Sequence, residues 1–318
     1  MIRLREEEFS DIVNYMREAY GINLDKKKVL IECRMTKLLE KRGLNSFGKY
    51  LDMLHQDRTG DMAAEMVNCL TTNYTYFYRE PDHFRLLQER ILPKLMERRQ
   101  YGGLDIWSAG CSTGEECYTL AMVLEECRRP NKYMGNIRLL ATDISGDALD
   151  KAQKGQYPAK ELEKLPLEWQ KKYCAQVDDR TFQVNEELRY RIRFEKRNLL
   201  EPRPSTERFD LILCRNVMIY FDRDARMRLV RMLEDALNPG GYLMIGHAEL
   251  LTAGETVLES VYPAVYRKEQ PAAKVIMCSA MGQEQMITNA LMLGASDFIV
   301  KPFKADEFMK VVEYTLSS

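Results

Sequence analysis

With 318 residues the chain has room for two or three domains and a full hydrophobic core. Charged residues make up 30% and hydrophobic ones 45%, an ordinary soluble balance, and a net charge of -1 gives no global field for nucleic acid or an anionic membrane. No apolar run reaches the roughly 18 residues that a spanning helix needs, so no membrane insertion is expected.

The first segment, Met1 to Ser10, is charged and lacks an apolar signal core. Phe9, Ile12, Val13, Met16 and Tyr20 then share one helical face, and Gly21 closes that helix. Further helices are expected from Lys26 to Arg42, from Ser46 to His55 and from Asp61 to Leu70. No strand pattern interrupts them, which makes residues 1–72 a small all-helical domain. On its second helix, Arg34, Lys37, Lys41 and Arg42 form a cationic strip, either a solvated face or a surface for an acidic partner.

Thr71 to Glu80 is polar and aromatic without clean alternation, and it reads as a loop between domains, where ligands often bind. Pro81 starts a helix with Phe84, Leu87, Ile91 and Leu95 on one face. Leu104 to Glu116 follows as buried strand, glycine turn and helix. Gly110 and Gly114 free the backbone there, and the helix's first amides can bind polar or negative groups. Three chemistries use such a unit: a nucleotide or S-adenosylmethionine site, a hydrolase, or packing alone. Gly110-Cys111-Ser112-Thr113-Gly114 matches the G-x-S-x-G nucleophile elbow. That elbow normally follows several strands, and only helices precede this one.

Ile137 to Asp143 reads as a second buried strand ending in an acid, suited to ribose hydroxyls. The spacing and glycines of a nicotinamide fingerprint are missing. Residues 147 to 172 look helical, broken near Gly155, Pro158 and Pro166. Thr181 to Val184 and Tyr190 to Phe194 alternate, which predicts short antiparallel strands with one wet face, a small insert at about 155–196. Phe209 to Cys214 is another apolar strand, followed by polar and aromatic residues at the ligand-binding end. A helix ends at Asn238-Pro239-Gly240-Gly241, then Tyr242 to Ile245 and Tyr262 to Tyr266 read as strands.

Eight scattered cysteines without a C-x-x-C pair read as reduced core thiols of a cytoplasmic protein. His55, His83 and His247 are far apart and form no local metal-ligand pattern, so no metal is expected.

Thr71-Thr72-Asn73 through Arg79-Glu80, the Trp107 to Glu116 stretch, Ala141-Thr142-Asp143-Ile144, Cys214 to Phe221 and Gly246-His247-Ala248-Glu249 together resemble the chemotaxis receptor methyltransferases, the CheR family. The resemblance spans about residues 1 to 268. It implies an α/β, Rossmann-like S-adenosylmethionine-dependent methyltransferase over 73–268. It also implies methyl transfer to chemoreceptor glutamates, with S-adenosylhomocysteine as product. By the family's pattern Asn73, Thr75, Arg79, Glu116, Asp143, Asn198, Leu199, Arg215 and Asn216 line the cofactor. Asp143 holds the ribose, and Arg79 and Tyr220 sit near the reacting methyl. The helical domain and the insert touch the cytoplasmic helical domain of the receptor. Cys117 stands where the family often has proline, and Tyr76 where relatives often carry histidine or another residue. The insert lacks the glycine-rich extension that goes with docking of a receptor's carboxy-terminal peptide. A non-catalytic docking module on the same fold is the competing function.

Gln270 to Ala273 reads as a linker within 269–318. Lys274 to Ala280, Gln283 to Leu293, Asp297 to Phe303 and Ala305 to Leu316 form a βαβα pattern that resembles the second half of a response-regulator receiver domain. Ser279 matches its switch hydroxyl, and Lys301-Pro302 its lysine and cis proline. The acidic half is missing, so no phosphoryl transfer is expected. An open sheet edge would favour self-association through the tail.

Overall fold

The computed structural model describes residues 2–98, 103–128, 136–252, 254–269, 274–280, 284–292 and 295–317. It divides into two units, Met1–Glu269 and Gln270–Ser318. The linker expected at Gln270 to Ala273, with Gln283 and Leu293 at the ends of a tail helix, lies outside the described residues.

Four helices open the first unit: α1 (Glu6–Tyr20), α2 (Lys28–Lys41), α3 (Phe47–Gln56) and α4 (Asp61–Leu70). Gly21 ends α1 in the left-handed conformation, and the Ser46 hydroxyl caps α3 by accepting from the Lys49 amide. Ile12, Met16, Ile31, Met35, Leu39 and Tyr50 are fully buried between them. The cationic strip is corrected here. Arg34 donates to the carbonyls of Leu70 (3.0 Å) and Thr71 (2.9 Å), closing the end of α4, and Arg42 pairs with Glu65 at 2.5 Å. Lys37 and Lys41 remain exposed.

The helix expected from Pro81 is three pieces. α5 (Pro81–Leu86) and α6 (Leu92–Arg98) flank a π-turn at Leu87–Ile91, which keeps Leu87 and Ile91 fully buried. Then come β1 (Leu104–Ala109), α7 (Glu115–Cys127), β2 (Ile137–Asp143) and α8 (Gly146–Lys154). The insert follows as β3 (Gln156–Pro158), a 3-10 turn at Ala159–Lys164, α9 (Leu167–Tyr173), β4 (Cys174–Asp178), β5 (Thr181–Val184) and α10 (Glu186–Arg189). After these run β6 (Ile192–Lys196), β7 (Phe209–Cys214), α11 (Arg223–Ala236), β8 (Leu237–Ile245), β9 (Glu259–Tyr262) and β10 (Val265–Arg267).

Seven strands form one sheet in the order β6-β2-β1-β7-β8-β10-β9. The first five are parallel, and β10 and β9 close it antiparallel. Side chains alternate across it. Ile106, Leu211 and Met244 face α7, whereas Trp107, Ile212 and Leu243 pack with Leu229 and Leu233 of α11. β6 corrects the reading of Tyr190 to Phe194 as an antiparallel strand of the insert: it pairs parallel to β2 at the sheet edge. The insert's own sheet is β3-β5-β4. The expected last strand, Tyr262 to Tyr266, straddles a tight turn with Ala264 at φ 57° and splits into β9 and β10.

In the second unit, β11 (Ile276–Ser279) pairs parallel with β12 (Asp297–Val300), with α12 (Glu284–Met292) and α13 (Ala305–Ser317) following them. The Lys301–Pro302 bond is cis. No helix among the described residues is long and apolar enough to cross a membrane.

Candidate active site

β1 pairs with β2 on one side and β7 on the other, so the chain order reverses there and a crevice opens beyond the carboxyl ends of the strands. A cavity of about 370 Å³ occupies it. The helical domain walls it through Tyr20, Ile22, Leu24 and Lys27. That domain is held by the Asn23 amide on the Tyr220 carbonyl (2.8 Å) and the Asn198 side chain on the Ala19 carbonyl (2.9 Å). Asn73, Thr75, Arg79, Glu116, Asp143, Asn198, Leu199, Arg215, Asn216 and Tyr220, spread over half the chain, all line this cavity.

The glycine turn forms one wall. Gly110 has φ 85°, and a Cβ there would stand 2.5 Å from Val217; Gly114 has φ 92°. Between them the Ser112 amide donates to Asp143 Oδ2 at 2.8 Å, and Ser145 donates to Oδ1 at 2.9 Å. Burial pushes the Asp143 carboxyl's pKa up, against the opposing pull of these amides. Each oxygen retains a lone pair for a ligand hydroxyl. The Ser112 hydroxyl donates to the Asn73 carbonyl at 3.0 Å. That contact ties the interdomain loop to the turn, and it leaves the elbow serine without the imidazole partner a hydrolase needs.

The two arginines are held differently. Arg215 has only 1% of its side chain exposed and sits between Glu80 and Glu116, 3.0 Å from an oxygen of each. The Ser108 hydroxyl also donates to Glu116, at 2.9 Å. Arg215 is therefore neutralised and fixed. Arg79 donates to the Tyr74 carbonyl at 3.0 Å, and no carboxylate pairs with it among the described residues. Its charge is available at the cavity. The Tyr220 hydroxyl lies 3.5 Å from the Thr72 carbonyl, at the edge of hydrogen-bond range.

Two acids in this network were not among the sequence candidates. Glu80, at φ 58°, receives Arg215, the Asn216 side chain (3.3 Å) and the His247 amide (3.3 Å). Burial works to raise its pKa, but His83, Arg215 and Asn216 beside it hold it well below the usual carboxylate range. Glu249 accepts from the amides of Asn216 (2.9 Å) and Gly246 (2.7 Å), and burial pushes its pKa up. Both acids stand inside the motifs that carry the family resemblance, Arg79-Glu80 and Gly246 to Glu249, but Arg215 lies 135 residues from Glu80 and Asn216 lies 33 from Glu249. His83 and His247 also meet here, rings edge to face at 4.3 Å. With Glu80 they bring three ligand-type atoms within 4.8 Å of one another, which their sequence separation concealed. Both ring nitrogens of buried His83 lack a hydrogen-bond partner among the described residues, Nδ1 lying 3.3 Å from Glu80 but off the line of a bond. The Glu80 oxygens are already engaged by Arg215, Asn216 and the His247 amide.

Residues 7–71 match the CheR methyltransferase all-alpha domain, and residues 73–266 the CheR methyltransferase SAM binding domain. The chain belongs to the CheR methyltransferase family. Residues 262–313 match the response regulator receiver domain. A chemotaxis protein methyltransferase of Borreliella burgdorferi is 40% identical over 272 residues, covering 84% of this chain and 96% of that one. Chemotaxis protein methyltransferase 1 of Pseudomonas aeruginosa is 32% identical, over 74% of this chain and 88% of that one. Chemotaxis methyltransferase Cher2 of Pseudomonas putida is 30% identical, over 77% and 90%. The cavity thus lies in an S-adenosylmethionine-binding domain, on an α/β methyltransferase fold with an amino-terminal helical domain.

Proposed function

We propose that this chain transfers the methyl group of S-adenosylmethionine to glutamate carboxylates on the cytoplasmic helical domain of chemoreceptors, as a protein-glutamate O-methyltransferase. The observation that carries this reading is the contrast between the two arginines. Arg215 is paired twice and buried, whereas Arg79 faces the same cavity with no carboxylate paired to it among the described residues. A substrate carboxylate supplies the missing counter-charge.

The cofactor supplies a methyl group already activated as a sulfonium. One carboxylate oxygen forms the new C–O bond as the S–CH₃ bond breaks and its electron pair returns to sulfur, leaving S-adenosylhomocysteine and a neutral ester. No proton moves, because glutamate is ionised at neutral pH. The chain's residues orient and shield. Asp143 accepts the ribose hydroxyls, and Asn73, Thr75, Glu116, Asn198, Leu199, Arg215 and Asn216 surround the cofactor. Arg79 and Tyr220 hold the carboxylate in line, where small misplacements are costly. No metal enters this chemistry. Exposed apolar side chains of the tail, Met277, Met309, Tyr314 and Leu316 among them, fit self-association through the second unit.

Purified protein incubated with methyl-labelled S-adenosylmethionine and receptor fragments tests the reading. Label on the receptor released as methanol by mild alkali identifies a carboxyl ester. Arg79→Ala and Tyr220→Phe should lower that transfer more than they lower cofactor affinity. Cofactor binding with no transfer to any receptor fragment would replace the enzyme by a non-catalytic docking module.

A further inference from the structure

Arg79 has a holding device of its own. Its guanidinium stands 5.9 Å from the Tyr74 ring centroid and 5.7 Å from that of Tyr76, both within cation–π range. The two rings lie 5.9 Å apart, inclined at 59°, so the arginine sits in the notch between them. On Tyr76 a second cation is seated, the Lys164 ammonium, 4.1 Å from the ring centroid. Lys164 closes the 3-10 turn of the insert, and Tyr74 and Thr75 line the cavity. Next along the loop, Phe77 is buried against Tyr157 and Phe182 of the insert's sheet, at 4.8 and 5.6 Å between centroids. The insert therefore grips the loop through Phe77 and touches the Tyr76 ring through Lys164.

We propose that Tyr74 and Tyr76 are positioning residues that hold Arg79 for an anionic substrate without neutralising it, and that Lys164 extends this stack to the insert. The inference rests on the reading of Arg79 as the substrate-facing arginine. An arginine fixed by a carboxylate has its hydrogen-bonding edge occupied, and an incoming carboxylate must displace that partner. Ring faces attract the cation through their quadrupole and leave the planar N–H edge free for a bidentate carboxylate. Arg215 illustrates the other arrangement in the same cavity: full burial between two carboxylates that neutralise its charge. The sequence carries the device in one short stretch, Tyr74-Thr75-Tyr76, where alternation on an extended loop sends both rings to the same side.

The test compares Tyr76→Leu, Tyr76→Phe and Lys164→Met in the full chain. Three quantities are measured: methyl transfer to a receptor fragment, S-adenosylhomocysteine affinity by calorimetry, and the order parameter of the Arg79 Nε–H bond by nitrogen relaxation. Tyr76→Leu should lower kcat/KM for the receptor fragment about two- to fivefold, chiefly through KM, as expected for one lost cation–π contact. The Arg79 order parameter should fall with it while cofactor affinity holds. Tyr76→Phe keeps the ring and should restore both. Lys164→Met should leave cofactor affinity alone and lower the Arg79 order parameter less than Tyr76→Leu does. Equal behaviour of the Leu and Phe variants, or an Arg79 order parameter unchanged by Tyr76→Leu, overturns the proposal. If the parent binds cofactor but methylates no receptor, the proposed function fails, and the order parameters still decide whether the rings hold Arg79.

Discussion

Replacing Glu80 by glutamine removes one charge and almost no volume from the centre of the site. In the parent, Glu80 accepts from Arg215 at 3.0 Å and from Asn216 and the His247 amide at 3.3 Å, with 14% of its side chain exposed. A hydrogen bond to a charged group contributes about 1.5–3 kcal/mol, and the two longer contacts contribute less. Orphaning a buried arginine would cost about 3–5 kcal/mol, but Arg215 keeps Glu116. Glutamine also keeps one acceptor oxygen. The expected loss is therefore about 2 kcal/mol, or roughly 4–8 °C in Tm for a unit of this size. Both tryptophans, Trp107 and Trp169, lie in the Met1–Glu269 unit, so fluorescence-monitored urea unfolding reads that unit alone. The pH dependence follows from the sign of the shift. The Glu80 pKa is depressed in the folded chain, so its stabilisation is fully present above the unfolded value of about 4.3 and is lost as pH falls below it. The gap between parent and variant should stay constant from about pH 8 to 5 and narrow in more acid solution. A variant as stable as the parent at pH 7, or a gap that widens below pH 4, would refute the network.

Asp143→Asn should weaken S-adenosylhomocysteine binding by about ten- to a hundredfold in calorimetry, because an amide cannot accept from both backbone amides and the ribose at once; unchanged affinity would remove Asp143 from the cofactor site. Treatment with a chelator should leave both cofactor affinity and Tm unchanged, and a drop in either would reveal a metal held by Glu80, His83 and His247. Deleting residues 270–318 should leave methyl transfer intact, since the cofactor cavity is built from the first unit. The full chain should also take no label from a small-molecule phosphodonor. Asp297 opens β12 and Asp306 lies in α13, so neither supplies the carboxylate-held metal and nucleophile that receiver phosphorylation needs.

The parts of the fold that could be read were those that follow one pattern throughout, unbroken burial for a central strand or a single apolar stripe for a helix. β7 is buried at every position, and its bounds coincide with the apolar run Phe209 to Cys214; α4 runs from Asp61 to Leu70 as its pattern predicts. The misread parts have mixed environments. β6 alternates because it is the edge strand of a parallel sheet, half of it wet, which gives the same pattern as an antiparallel strand. β4 is exposed along almost its whole length and is defined by pairing with β5, so no apolar signal marks it. Arg34 looked like one member of a surface strip because a helix period cannot show a carbonyl terminus 36 and 37 residues away. In the site, the ten family-pattern residues do line one cavity, but Glu80 could not be singled out. Its role depends on Arg215, Asn216 and His247, brought beside it by the order of the sheet.

Backbone strain gives this convergence a cost that the network has to offset. Among the described residues, five other than glycine have positive φ: Tyr78, Glu80, Ser112, Asn216 and Ala264. Ala264 turns the β9–β10 hairpin. Glu80, Ser112 and Asn216 sit on three loops at the edge of the cavity, and each left-handed residue costs on the order of 1 kcal/mol or more. Each is also fixed by a contact to another of those loops or strand ends: Glu80 to Arg215 and Asn216, Ser112 to Asp143 and Asn73, Asn216 to Glu249 and Glu80. The left-handed turns aim these groups toward one another, and the hydrogen bonds hold the turns in place. Neither set of terms is stable alone. Loosening one loop should therefore loosen the other two, which makes this side of the cavity a cooperative unit.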